Sequence, residues 1–131
     1  MMHRKPHVLL VEDEQRLAQY LSLELQDIGY EVTVAADGRS GMLAARQQTF
    51  DLVLLDWQLP RYSGLEVCRW LRQRPKAPPI LMVTAYNSPE RVKVAHEAGV
   101  SGYLVKPFDV DKLMDLICRL LPESCIEFSL A

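Results

Sequence analysis

The sequence lacks any long apolar run and any strong excess of charge. A helix that crosses a membrane needs about 20 consecutive apolar residues, and no stretch of this chain approaches that length. The basic N-terminus leads into only a short apolar run, which is not the pattern of a signal peptide. The net charge is −2 and the pI is about 5.9, so neither a nucleic-acid binder with a basic surface nor a membrane protein is expected. We therefore expect a cytoplasmic protein.

Cysteine is scarce and shows no functional pattern. The three cysteines, Cys68, Cys118 and Cys125, lack the paired spacing of a metal site. Cys68 and Cys118 fall in helical patterns, so they are expected to be small buried hydrophobic residues rather than ligands or nucleophiles. No internal repeat is visible.

What the chain does contain is a regular alternation of apolar runs and amphipathic stretches. Its 131 residues, 49% of them hydrophobic, suit one domain with a single core. Strands are predicted at residues 8–11, 31–35, 52–55, 80–84 and 102–105, each followed by a helical pattern. Residues 1–121 are predicted to form this domain. Residues 122–131 show no clear period and are predicted to be a tail or the start of a linker.

Alternating strands and helices predict an α/β fold, a parallel sheet with helices on both faces. For five strands the expected arrangement is a flavodoxin-like sandwich with strand order 2-1-3-4-5, by analogy with known folds rather than from periodicity. Asp37, Ser88 and Asp109 are predicted to cap helices two, four and five at their N-termini. Gly29 is predicted to end helix one.

Polar residues follow or end four of the predicted strands at the edge where such sheets bind ligands. Glu12 and Asp13 follow strand one, and Asp56 follows strand three. Thr84 ends strand four, and Lys106 follows strand five. The order 2-1-3-4-5 makes strands one and three neighbours, so the three carboxylates should crowd together and repel one another. A divalent cation with oxygen ligands, such as Mg²⁺, is the usual means of neutralising them.

Asp56 in such a site is a candidate acceptor of a phosphoryl group. Lys106 would supply a compact positive charge and Thr84 a hydroxyl, and both would stabilise the oxygens of the transferred group. Asp56 would then act as the nucleophile and form an acyl phosphate.

These residues, together with Tyr103 and Pro107, make the chain resemble a response regulator receiver domain, the phospho-accepting module of two-component signalling. The resemblance covers residues 6–121. The family that the chain resembles includes the chemotaxis regulators. It implies a sensor histidine kinase or a phosphotransfer protein as phosphoryl donor, and a downstream effector or output domain as recipient of the signal. It implies a switch rather than an enzyme, without direct contact of this domain with nucleic acid or membrane.

The resemblance also implies a role for each residue around the metal. Asp13 and Asp56 would bind Mg²⁺ directly, and Glu12 would bind it through water. The backbone carbonyl of Gln58 would be a further ligand.

The same resemblance implies a conformational switch. Thr84 would move to the phosphoryl group, and Tyr103 would then turn inward as the switch aromatic residue. The Lys106–Pro107 peptide bond is expected to be cis. Tyr86 flanks the site, and its bulk is expected to restrict the water that hydrolyses the acyl phosphate.

Three other functions compete with this interpretation. Phosphatases of the haloacid-dehalogenase type carry a second Asp two residues after the nucleophile, where this chain has Gln58. Nucleotide- and flavin-binding modules need a Gly-rich or Ser/Thr-rich phosphate loop after strand one, where this chain has acidic residues. A degenerate receiver that binds partners without being phosphorylated remains an alternative.

Two segments of the sequence bear on the output of the domain. Residues 56–60 and 63–67 resemble the winged-helix transcription-factor branch of the family, which has two acids just before the switch aromatic residue. This chain has Ser101 and Gly102 there, which puts the dimer of that branch in doubt. Homodimerisation through the Asn87–Leu121 face is a hypothesis. A single-domain regulator and the receiver of a longer transcriptional regulator both remain possible.

The tryptophans and histidines have no motif of their own. Trp57 either shields one side of the site or packs on the neighbouring loop, and Trp70 is expected to pack helix three on the core. His96 is expected to be exposed. His3 and His7 flank the first strand and are expected to be incidental.

Overall fold

The computed structural model describes residues 4–124, in which five strands and five helices alternate along the chain. The strands are β1 (His7–Val11), β2 (Glu31–Ala35), β3 (Leu52–Leu55), β4 (Ile80–Thr84) and β5 (Gly102–Val105). The helices are α1 (Gln15–Ile28), α2 (Gly38–Gln47), α3 (Gly64–Arg72), α4 (Pro89–Ala98) and α5 (Val110–Leu120). The predicted elements are all present, with bounds that differ by about one residue.

The strands form one parallel sheet in the order β2-β1-β3-β4-β5, which confirms the predicted fold. Strands β1, β3 and β4 are buried along their whole length, as their unbroken apolar runs predict. Strand β2 lies at one edge and is partly exposed. Because all five strands run the same way, their ends define a carboxyl edge and an amino edge of the sheet.

Side chains that alternate along the strands build one core cluster on each face of the sheet. Val8 and Leu10 point to the face that α1 and α5 cover, where they join Leu21 and Ile117. Leu9 packs on the other face, which α2, α3 and α4 cover. Trp70 packs against this second cluster as predicted, with the Arg74 guanidinium 4.5 Å from the centre of its ring. Cys68 and Val67 lie in the same cluster, so the prediction for Cys68 is confirmed.

Local signals set the helix ends. Asp37, Ser88 and Asp109 each accept a hydrogen bond from the backbone N–H three residues later, at 2.7, 3.3 and 2.9 Å. Such a cap stabilises a helix by about 1 kcal/mol. Gly29 ends α1 with a φ of 121°, a conformation that glycine adopts without steric cost. These four predictions are confirmed.

His7 is not incidental, contrary to the sequence prediction. Strand β1 begins at His7, and the side chain is buried at the amino edge. Its Nε2 lies 2.7 Å from Thr33 Oγ1, and its ring packs edge-on against Phe50 with 4.6 Å between ring centres. The prediction was wrong because the side chain of His7 is covered by residues that are distant in sequence. Thr33, on β2, is 26 residues away, and Phe50, just before β3, is 43 residues away. His96 is exposed, as predicted.

The remaining cysteines and the C-terminal segment are only partly described. Cys118 lies in α5 and is half-buried. Cys125 and His3 fall outside residues 4–124, as does most of the predicted tail of residues 122–131. Ser124 is buried, with its Oγ 2.8 Å from Tyr30 Oη. Within residues 4–124, no helix has the length and apolar character that a membrane span requires.

Arg72, the last residue of α3, connects this helix to the segments that precede β4 and β5 at the amino edge. Its guanidinium donates hydrogen bonds to the carbonyls of Gly99 at 2.6 Å and Pro78 at 3.0 Å, and to Ser101 Oγ at 3.0 Å. The same Ser101 hydroxyl accepts a hydrogen bond from the backbone N–H of Ile80 at 3.1 Å. Ser101 therefore has a structural role inside this chain at a position where the related branch carries an acid.

Candidate functional site

Three carboxylates meet at the carboxyl edge of the sheet. Glu12 and Asp13 follow β1, and Asp56 follows the adjacent strand β3. One carboxylate oxygen of each residue lies within 4.8 Å of the other two. Glu12 and Asp56 are only 3% and 4% exposed, whereas Asp13 faces solvent. The predicted crowding of acids is therefore present, with two acids inside and one at the surface.

Lys106 lies between the two buried acids. Its ammonium donates hydrogen bonds to Glu12 Oε1 and to Asp56 Oδ2, both at 2.7 Å. The backbone N–H of Lys106 donates to the Thr84 carbonyl at 2.9 Å, and the Lys106–Pro107 peptide bond is cis, as predicted. Burial alone would lower the pKa of Lys106, but its hydrogen bonds to Asp56 and Glu12 outweigh burial and raise this pKa. The side chain is therefore a cation at neutral pH.

Glu12 is held in the site although its charge is costly there. Burial raises the pKa of Glu12, and the hydrogen bond from Lys106 offsets this rise only in part. The backbone N–H of Glu14 donates to Glu12 Oε2 at 3.0 Å and favours the charged form. A further positive charge in the site would therefore stabilise the ionised form of this carboxylate.

The two oxygens of Asp56 have different partners. Oδ2 accepts from Lys106, and Oδ1 accepts from the backbone N–H of Gln58 at 3.1 Å. Gly64, the first residue of α3, lies against this backbone, since a Cβ there would be 2.1 Å from the Asp56 carbonyl oxygen. Sequence reasoning did not identify this role of Gly64. The signal that could have found it is a glycine directly after a strong N-cap residue, where helix propensity disfavours it.

Thr84 and Tyr103 meet at the backbone of Tyr86. Thr84 is fully buried, and its Oγ1 accepts from the Tyr86 N–H at 3.4 Å. The Tyr103 hydroxyl donates to the Tyr86 carbonyl at 2.7 Å. Burial raises the pKa of Tyr103, so this hydroxyl keeps its proton at neutral pH. Both residues of the predicted switch are thus connected to the loop that joins β4 to α4.

The ring of Tyr86 lies between Trp57 and Arg91. The Trp57 and Tyr86 rings pack edge to face, with centres 5.3 Å apart and planes at 81°. The Arg91 guanidinium lies 3.5 Å from the centre of the Tyr86 ring and 5.4 Å from that of Trp57. Trp57 thus packs on the neighbouring loop, which is one of its two predicted roles. That it shields one side of the site stays a prediction. The sequence does not single out Arg91, because an exposed arginine in the first turn of a helix has no distinctive pattern.

Comparisons with known proteins agree with this geometry. Residues 8–118 match the family model of the response regulator receiver domain. The chain is 40% identical over 114 residues to response regulator ArlR of Staphylococcus saprophyticus, covering 87% of this chain and 51% of ArlR. It is 42% identical over 121 residues to YkoG of Bacillus subtilis, named an uncharacterized transcriptional regulatory protein, covering 92% of this chain and 53% of YkoG. The chain thus spans about half the length of these curated relatives.

A solved receiver domain is also similar to this chain. The receiver domain of sensor histidine kinase PA1611 from Pseudomonas aeruginosa superposes with a TM-score of 0.84 at 30% identity, covering 91% of this chain and 99% of that one. That structure is described as having a magnesium ion coordinated in the active site cleft. With its sheet order and clustered acids, this chain belongs to the family of response regulator receiver domains of two-component signalling.

Proposed function

We propose that this domain is switched by phosphorylation of Asp56. The donor is the phosphohistidine of a sensor kinase or of a phosphotransfer protein. The observation that carries the proposal is the environment of Asp56, a buried carboxylate that shares the Lys106 ammonium with Glu12 and lies beside a second, exposed acid. An aspartate with only a structural role would not need two further acids within 4.8 Å.

Transfer forms a bond from an Asp56 carboxylate oxygen to phosphorus and breaks the bond from phosphorus to the imidazole nitrogen. The imidazole leaves and takes up a proton from solvent. Lys106, already within hydrogen-bonding distance of Asp56, stabilises negative charge on the oxygens of the phosphoryl group. Thr84 supplies its hydroxyl to the same group after it leaves the Tyr86 N–H.

The acidic residues fit a divalent cation. Among residues 4–124, the three carboxylates are accompanied by one ammonium, that of Lys106, which contacts Glu12 and Asp56. The group therefore keeps net negative charge, and oxygen is the ligand that Mg²⁺ prefers. We assign Asp13, Asp56 and the Gln58 carbonyl as direct ligands and Glu12 as a ligand through water. When bound, Mg²⁺ supplies positive charge next to the phosphoryl oxygens.

The signal leaves the domain through the surface formed by residues 87–121, to which Tyr86 and Tyr103 connect the site. The recipient is an effector or an output domain. Because the chain spans about half of relatives that include a transcriptional regulatory protein, we propose that it is the receiver of a transcriptional regulator.

Homodimerisation through the Asn87–Leu121 face is a separate part of this proposal. Sedimentation velocity with and without beryllofluoride tests it. We expect a dimer with beryllofluoride, and an unchanged monomer would refute dimerisation without affecting the assignment of Asp56.

Labelling with a small phosphodonor tests the proposed function. The protein is incubated with acetyl phosphate, with and without Mg²⁺, and the product is followed by intact mass and peptide mapping. We expect one phosphoryl group per chain, on Asp56, only when Mg²⁺ is present. A protein that stays unlabelled under all conditions would favour the degenerate receiver, and a label on another residue would overturn the assignment.

A further inference from the structure

The stack of Trp57, Tyr86 and Arg91 has no role in the transfer described above. Trp57 follows Asp56 directly in the chain. Tyr86 follows Thr84 by two residues and contacts Trp57 edge to face. Arg91 reaches back from the first turn of α4 and covers the Tyr86 ring at 3.5 Å. The stack therefore joins the segments that follow β3 and β4.

We propose that Arg91 is a positioning residue that holds the Tyr86 ring against Trp57 as a cover beside Asp56, and thereby prolongs the lifetime of the acyl phosphate. This inference rests on the proposed function, since it concerns the stability of the product of transfer to Asp56. Arg91 acts through the two aromatic rings and does not itself contact the reacting atoms.

The contacts around Tyr86 show why its ring depends on Arg91. The backbone of Tyr86 is held on both sides, by Thr84 Oγ1 at its N–H and by the Tyr103 hydroxyl at its carbonyl. The ring extends from this fixed backbone, so its position depends on Trp57 and Arg91. The backbone N–H of Arg91 is in turn bound to the capping hydroxyl of Ser88 at 3.3 Å, which fixes the residue that carries the guanidinium.

The chemistry of hydrolysis explains why a cover matters. Water must approach phosphorus roughly in line with the Asp56 oxygen that leaves. A bond forms from the water oxygen to phosphorus, the bond from phosphorus to Asp56 breaks, and inorganic phosphate, the free carboxylate and a proton result. A ring held beside Asp56 limits the positions that the attacking water can occupy. A guanidinium over an aromatic face at an exposed site contributes enough to change the occupancy of the covered state about two- to five-fold.

The first test measures the lifetime of the label. Wild type, Arg91→Met and Lys93→Met are labelled with acetyl phosphate and Mg²⁺, the donor is removed, and loss of label is followed by intact mass. Lys93 is a matched control because it lies two residues further along the same helix and is exposed. We expect the label to be lost about two- to five-fold faster in Arg91→Met, and at the wild-type rate in Lys93→Met. Equal rates in all three proteins would overturn the proposal.

A double-mutant cycle separates action through the ring from action through charge. Tyr86→Leu keeps an apolar side chain but removes the aromatic face, so adding Arg91→Met to it should not change the hydrolysis rate further. If Arg91→Met accelerates hydrolysis equally in both backgrounds, Arg91 acts through its charge alone and the proposal is wrong. Arg91→Lys retains a cation and should restore part of the lifetime, and thermal melts check that each variant is folded.

Different results would refute the phosphorylation of Asp56 and the role of Arg91. Wild-type protein that takes no label from acetyl phosphate refutes the proposed function. Wild-type protein that is labelled on Asp56, with Arg91→Met indistinguishable from it, refutes only the role of Arg91.

Discussion

The two edges of the sheet both hold charged groups next to buried backbone, but they balance those charges differently. At the amino edge, Arg72 donates to three oxygens of neighbouring segments, and Asp51 accepts from Arg4 and from the backbone N–H of His7. At the carboxyl edge, Glu12 and Asp56 share the ammonium of Lys106, and Asp13 adds a third carboxylate within 4.8 Å of both.

This difference shows that the charged groups of the amino edge are structural, whereas those of the carboxyl edge form a binding site. The hydrogen-bond partners of Arg72 and Asp51 come from the chain itself, so the amino edge needs nothing further. The carboxyl edge keeps net negative charge even though the pKa of Lys106 is raised and its ammonium is fully charged. An excess charge that the fold does not neutralise is stable only if water or a ligand compensates for it. The predictions below compare matched residues on the two edges.

The largest expected effect concerns the two aspartates at the ends of β3. Asp56→Asn removes the nucleophile and should abolish labelling by acetyl phosphate in the presence of Mg²⁺. Asp51→Asn, at the opposite end of the same strand, should retain labelling because Asp51 lies at the amino edge. Intact mass measures both. Persistent stoichiometric label in Asp56→Asn would contradict the contrast between the edges.

The next effect concerns the two cations. Lys106→Met leaves Glu12 and Asp56 buried without their shared partner, and should lower the free energy of unfolding by about 2–4 kcal/mol at pH 8. Arg72→Met removes three hydrogen bonds from oxygens that water can partly reach, and should cost about 1–2 kcal/mol. Urea denaturation without metal measures both values.

The pH dependence distinguishes these two losses. Without Lys106, the folded-state pKa of Glu12, already raised by burial, rises further. A raised folded pKa gives stability that is present below the unfolded pKa and is lost as the pH rises through the folded value. The defect of Lys106→Met should therefore shrink from pH 8 to pH 5, whereas that of Arg72→Met should stay constant. If the loss of unfolding free energy does not change with pH in either variant, the buried acids of the carboxyl edge do not depend on Lys106 for neutralisation of their charge.

A smaller effect is expected for metal binding. Mg²⁺ should raise the melting temperature of the wild type, because a ligand that binds only the folded state stabilises it. Asp13→Asn should weaken binding by about tenfold, or about 1.4 kcal/mol, since it removes a carboxylate ligand. Asp51→Asn is the control and should bind Mg²⁺ as the wild type does. Titration calorimetry measures the affinities, and equal affinities would remove Asp13 from the site.

The smallest effect concerns Glu12 in the metal-free protein. Its pKa is raised mainly by burial, so its ionisation opposes folding as the pH rises above its unfolded pKa. The stability of the wild type relative to Glu12→Gln should therefore fall between acid and neutral pH. Glu97→Gln, on the exposed surface of α4, should show no such trend. Urea denaturation across this pH range measures the stability of the wild type relative to Glu12→Gln. If this stability difference rises with pH, burial does not raise the pKa of Glu12.

Much of the fold could be predicted because its signals are local. An unbroken apolar run predicts a buried strand wherever it occurs, and Asp37 and Ser88 cap helices through hydrogen bonds only three residues away. The position of Asp56 at a strand end followed from the same patterns. His7 and Arg91 could not be interpreted this way, because their roles depend on segments that lie far away in sequence or on side-chain direction.

By itself, the sequence determined the order of strands and helices, their bounds, and the residues that stand at the carboxyl ends of the strands. Hydrophobic period and capping residues act over a few positions, so they are visible in a linear chain. Only the tertiary structure decided that Lys106 lies between Glu12 and Asp56 at 2.7 Å from each, and that Ser101 turns toward Arg72. Such pairings depend on how distant segments pack, because burial and distance set the strength of a charge interaction.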